Sequence, residues 1–164
     1  MNVEQLKSRF KGHYDFMVAE KFLDEQFSQL QQLQDESTPD FAFEVVSLFF
    51  EDCQKIFHDL DRALEQPMVD FKTVDNNVHT LKGSSSSIGA ARVTHVCIAF
   101  RSFCDEHNLE GCLRSMQELK RETALVKNQF EILFKLEQQL LAAGGSITLP
   151  VKPSPQSNDH PWFM

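Results

Sequence analysis

Between Phe71 and Gly89 the residues Phe71, Val74, Val78, Leu81, Ser85 and Ile88 recur at steps of three and four. A helix, at 3.6 residues per turn, puts such positions on one face. The same period runs through most of the chain, and no window alternates like a strand between hairpin turns. A short first helix is expected over residues 2–13, with Val3, Leu6 and Phe10 on one side and Gly12 weakening its end. Phe16, Ala19, Leu23, Phe27 and Leu30 predict a second helix that runs to about Leu33. Thr38-Pro39 reads as an N-cap followed by a first-turn proline, and opens a third helix over 39–65. Its stripe is Phe41, Val45, Leu48, Phe49, Ile56, Leu60 and Leu64, and Pro67 stops it.

Asp70 is placed to cap the fourth helix, which ends near Gly89. A fifth helix is expected over 90–107, ending at Asn108, and a sixth over 110–143, closed by Gly144-Gly145. Cys112, Met116, Leu119, Val126, Phe130 and Leu133 lie on the sixth helix's apolar stripe. Short connections between long helices favour antiparallel neighbours. The expected fold is therefore all-α: an antiparallel four-helix bundle of helices three to six, with two additional N-terminal helices on one end or side. Residues 1–145 form one domain on this reading. Residues 146–164, with Pro150, Pro153, Pro155 and Pro161, read as a disordered tail in which Trp162 and Phe163 are incidental.

Composition narrows the function. A net charge of −8 makes the chain a poor nucleic-acid binder, because neutralising phosphates supplies most non-specific affinity. No apolar run of about 18 residues is present, so no membrane span is expected. Cys53, Cys97, Cys104 and Cys112 have no CxxC spacing, and no signal peptide precedes them; reduced thiols in the cytosol or nucleus follow. His58, His95, His107 and the cysteines lack the paired spacings of a zinc site, so no metal is expected. Lys82-Gly83-Ser84 is no Walker loop, since the order is reversed and it falls within a helix. With no kinase Gly-rich loop either, the chain has no visible means of using ATP.

His79 is the residue with chemistry to offer. Around the helix it sits about 130° from the centre of the apolar stripe, so it points outward. Its helical neighbours are Asp75, Asn76, Lys82, Gly83 and Ser86, none of them apolar. A neutral imidazole is a good nucleophile near neutral pH, and Lys82 is placed to neutralise a phosphoryl group on it. Glycine within a helix costs roughly 0.5–1 kcal/mol relative to alanine. Close approach by another molecule is a reason to keep Gly83. The bland alternative is a solvated face that happens to carry a histidine and a lysine.

The stretch His79-Thr80-Leu81-Lys82-Gly83-Ser84-Ser85-Ser86-Ser87-Ile88-Gly89-Ala90 resembles the signature of plant histidine-containing phosphotransfer proteins. So do Phe22 to Phe27, Leu33 to Ser37, Glu44 to Asp52, Val69 to Lys72, Phe100 to Cys104 and Glu110 to Cys112, covering roughly residues 16–145. Thr80 departs from the glutamine usual in that family. The acceptor position is histidine, unlike the inactive type with asparagine. The resemblance implies a relay intermediate of cytokinin-type signalling, not an enzyme that turns over by itself. His79 would take a phosphoryl group from the receiver domain of a hybrid histidine kinase and pass it to a response regulator. Lys82 would screen the phosphoryl charge. Gly83, Ser86, Asp75 and Asn76 would border the docking surface, and Phe22, Gln26 and Leu33 are expected to extend it. No cofactor is implied on this chain; Mg²⁺ would sit on the receiver. The implied protein is a monomer of cytoplasm and nucleus. The competing expectation is a helical scaffold that binds receiver domains without phosphotransfer.

Overall fold

A computed structural model describes residues 1–147. Six helices occur in it: α1 (Val3–Ala19), α2 (Glu25–Gln32), α3 (Phe41–Leu64), α4 (Phe71–Ser87), α5 (Ala91–Asp105) and α6 (Leu109–Ala142). There is no strand among the described residues. Packing of α3 on α4, α4 on α5, α5 on α6 and α6 back on α3 closes an antiparallel four-helix bundle, and α1 lies along α6. Short α2 touches α3 and α4. The expected architecture is thus present. The tail expectation mostly falls outside the described residues, but Ile147 is half-buried and packs on the core.

The N-terminal boundaries differ from those expected. The first helix does not end at Gly12 but runs on to Ala19. Gly12 is exposed with open space around it, so nothing there forces a stop. Phe16 is 45% exposed, and Tyr14 and Met17 fill the core in its place. The break comes at Lys21, with φ +65°. There the Lys21 N–H donates to Val18 O (3.1 Å) and the Phe22 N–H to Met17 O (2.8 Å), the paired bonds of a Schellman ending. Phe22 and Met17, the two positions at which this motif carries an apolar contact, are both buried in the core. The second helix accordingly starts at Glu25, with Asp24 accepting from the Gln26 N–H.

Helix α3 starts two residues later than Thr38-Pro39 suggests. The Thr38 hydroxyl is engaged by Asp35 in the preceding turn and does not cap the helix. Leu48, expected in the stripe, is 55% exposed; Ala42, Val46, Phe50, Cys53 and Phe57 are buried instead. Asn108, expected to end α5, caps α6 by accepting from the Gly111 N–H (3.0 Å). The core is rich in rings: Phe27, Phe100 and Phe130 are essentially inaccessible, and Phe130 stacks on Phe134 at 5.7 Å. Where α2, α3 and α6 meet, Glu137 is 5% exposed. One of its oxygens accepts from Gln34 Nε2 (3.4 Å) and the other has no hydrogen-bond partner among the described residues. Burial holds its carboxyl above the ordinary range.

Candidate functional site

Helix α4 is anchored at both ends. Asp70 accepts from the N–H groups of Lys72 (3.1 Å) and Thr73 (3.3 Å), as expected of its cap position. At the other end Gly89 has φ +79°, and the Ala90 N–H donates to Ser85 O (2.9 Å). The Asp24 N–H donates to Gly89 O (3.0 Å), which ties the start of α2 to the end of α4. Val74, Val78, Leu81, Ser85 and Ile88 are buried, so the inward stripe is the expected one. Ser85 Oγ lies 2.8 Å from Thr94 Oγ1, which satisfies a buried hydroxyl and stitches α4 to α5.

With that face inward, His79 is forced out, and it is exposed. Asn76, Gly83 and Ser86 are exposed around it, and Lys82 is half-buried. The Lys82 ammonium forms no ion pair among the described residues. A cation one helical turn from His79 is thus uncommitted and available to an anion. A Cβ built on Gly83 meets nothing within 4 Å. Thr80 turns its hydroxyl back to Asn76 O (3.2 Å), so the departure from glutamine leaves a group occupied by its own helix.

Spacing along one helix could not show the contribution of α5. Arg101 Nη1 donates to His79 Nδ1 at 2.9 Å. Its Nε and Nη2 donate to the two carboxylate oxygens of Asp75, at 2.9 and 3.4 Å. Asp75, expected at the edge of the docking surface, is 22% exposed and holds Arg101. The sequence signal for Arg101 was only its place in the Phe100 to Cys104 stretch.

The three outlying docking residues fare differently. Phe22 is corrected: it is 7% exposed and covered by the Arg92 guanidinium, 4.4 Å from its ring centroid. Arg92 is itself fixed by buried Glu122 (2.5 Å), so this cover is structural. Gln26 is half-buried at the start of α2, near the Gly89 end of α4. Leu33 is 44% exposed at the end of α2.

The cysteines are core residues. All four are buried free thiols, and burial pushes Cys53, Cys97 and Cys104 up to about 12. No group of three or more His, Cys, Asp or Glu among the described residues is placed to hold a metal ion, and no described helix is long and apolar enough to cross a membrane.

An exposed histidine thus stands on the second helix of an antiparallel four-helix bundle, with a lysine one turn on that forms no ion pair among the described residues. Residues 44–129 match the Hpt domain family. The chain belongs to the histidine-containing phosphotransfer proteins. It is 54% identical over 147 residues to histidine-containing phosphotransfer protein 1 of Arabidopsis thaliana, covering 90% of this chain and 96% of that one. It is 49% identical over 123 residues to pseudo histidine-containing phosphotransfer protein 5 of rice, covering 75% and 81%. The crystal structure of a histidine-containing phosphotransfer protein from Medicago truncatula superposes with a TM-score of 0.80 at 49% identity, covering 86% of this chain and 96% of that one. Relatives named histidine-containing and relatives named pseudo histidine-containing phosphotransfer proteins both match the chain at about half identity, and this chain carries histidine at position 79.

Proposed function

We propose that the chain is a phosphorelay carrier of the cytokinin type. It accepts a phosphoryl group on His79 from an aspartyl phosphate in the receiver domain of a hybrid histidine kinase. It then gives the group to an aspartate of a response regulator. The observation that carries this reading is the open His79, with the unpaired Lys82 one turn away and unfilled space over Gly83.

The Nε2 lone pair attacks phosphorus in line. The N–P bond forms as the P–O bond to the receiver carboxyl breaks, and the electron pair returns to that carboxylate. Delivery to the next aspartate is the same displacement reversed. Lys82 offsets charge on the equatorial oxygens, and Gly83 and Ser86 keep the rim low enough for a receiver to reach the ring. Mg²⁺ is supplied by the receiver. On this reading the carrier acts stoichiometrically as a monomer and is present in cytoplasm and nucleus.

The test is incubation with a radiolabelled phospho-receiver. Label should appear on the carrier, acid-labile and alkali-stable, and be absent from His79→Gln. If the wild type binds the receiver but never acquires label, the protein is the non-transferring scaffold instead.

A further inference from the structure

The relay reading, on which this inference rests, requires a bare Nε2. The contact at the other ring nitrogen places the proton elsewhere. A guanidinium has donors only, so Nδ1, 2.9 Å from Arg101 Nη1, is the acceptor. A neutral imidazole carries one N–H. With Nδ1 accepting, that hydrogen is on Nε2, and the lone pair needed for attack is missing there.

Arg101 is held in this pose. Nε and Nη2 both bond the Asp75 carboxylate, leaving Nη1 as the arm that reaches the ring. Asp75 lies one turn before His79 on α4, and Arg101 lies on α5, so the clasp is set by the packing of those two helices. The fork geometry of such a pair fixes direction as well as distance.

The geometry points to Arg101 as a positioning residue: clamped by Asp75, it latches His79 in the Nε2–H tautomer until a docked receiver draws Nη1 away from Nδ1. A phosphoryl oxygen or receiver carboxylate is an ionised acceptor and competes well against a neutral ring nitrogen. Once Nδ1 is released, the ring proton moves from Nε2 to Nδ1 through solvent, with no net proton gained or lost. Nε2 then holds the lone pair that attacks phosphorus. The free carrier is thereby a poor nucleophile at Nε2, and docking makes it a competent one.

Long-range ¹H–¹⁵N correlation spectra of the ¹⁵N-labelled full chain test this. In wild type, His79 should show a protonated Nε2 and an unprotonated, hydrogen-bonded Nδ1. Arg101→Ala should shift the Nδ1 and Nε2 resonances toward those of a freely exchanging tautomer mixture. Asp75→Asn, which leaves Arg101 in place but weakens its tether, should move them the same way by less. A wild-type ring protonated at Nδ1, or an Arg101→Ala ring with unchanged shifts, overturns the latch. In the phosphorylated carrier, ³¹P–¹⁵N coupling should place phosphorus on Nε2; coupling to Nδ1 also overturns it. If the shifts behave as expected but neither wild type nor any variant takes label from a phospho-receiver, the relay reading fails and the release step with it, while Arg101's hold on the Nε2–H tautomer stands. If Arg101→Ala does not fold, Asp75→Asn alone decides: unchanged shifts refute the latch.

Discussion

Gly83 and Gly89 lie six positions apart at one end of α4, and they are glycine for opposite reasons. Gly89 has φ +79°, and an added Cβ would lie 2.7 Å from Phe27 N and 2.8 Å from Asp24 Oδ1. The fold has no room for a side chain there and uses a backbone conformation that other residues adopt at a cost. Gly83 is ordinary helix with empty space above it. Nothing inside the molecule asks for glycine at 83, and helix propensity argues against it. A residue that the fold does not need and pays to keep points to a demand from outside, here the approach of a partner to His79. The difference separates the part of α4 that builds the bundle from the part that, on the proposed function, receives a partner.

The comparison can be broken or sharpened by substitution. The largest effect is expected from His79→Gln, which should abolish phosphoryl uptake in the labelled-receiver assay while the thermal melt stays within error of wild type. Gly89→Ala should do the reverse, lowering stability by about 2–4 kcal/mol through left-handed strain and the clash with Phe27. Chemical denaturation reads that loss, and transfer by the folded fraction should persist. Lys82→Ala should slow transfer about tenfold, since a half-buried cation still open to solvent is worth less than a fully buried oxyanion donor. Its helix content by circular dichroism should not change; a loss of helix would show that Lys82 supports the fold.

Gly83→Ala should raise stability by roughly 0.5–1 kcal/mol and slow transfer at the same time. A stabilised variant with full transfer rate would remove the argument for partner approach. The smallest effect concerns charge in place of space. Glu137 has a folded-state pKa raised by burial, so the stability it allows is fully present below its unfolded value and is lost as pH rises through the folded value. Glu137→Gln should therefore gain about 1 kcal/mol at neutral pH. The gain should vanish near pH 4, where the wild-type carboxyl is already protonated in the fold.

Helix endings show which parts of the fold were legible. Four helices close with the same pair of Schellman bonds, at Lys21, Gly89, His107 and Gly144. The two glycine endings were read from sequence, because glycine announces a positive φ. At Lys21 and His107 tertiary packing sustains that φ: Phe22 is sealed under Arg92, and His107 stacks on Phe71 at 4.8 Å. No local residue signals either ending, so the sequence pattern divides α1 from α2 at the wrong place and puts Asn108 at the end of α5 instead of the start of α6. The site divides along the same line. His79, Lys82 and Gly83 follow from helical period alone. Arg101, 22 positions from His79, becomes visible only when α4 and α5 are packed together.

The bond from Asp24 to the carbonyl of Gly89 makes the N-terminal segment part of the foundation beneath the acceptor helix. The Hpt domain match spans 44–129. A protein trimmed to those limits would lose that brace, the α1 layer along α6, and the fully buried Phe130, Leu133 and Leu140. The packed helical unit is consequently larger than the 44–129 span of the Hpt domain match, and excising that shorter piece would leave α4 and its His79 without these supports.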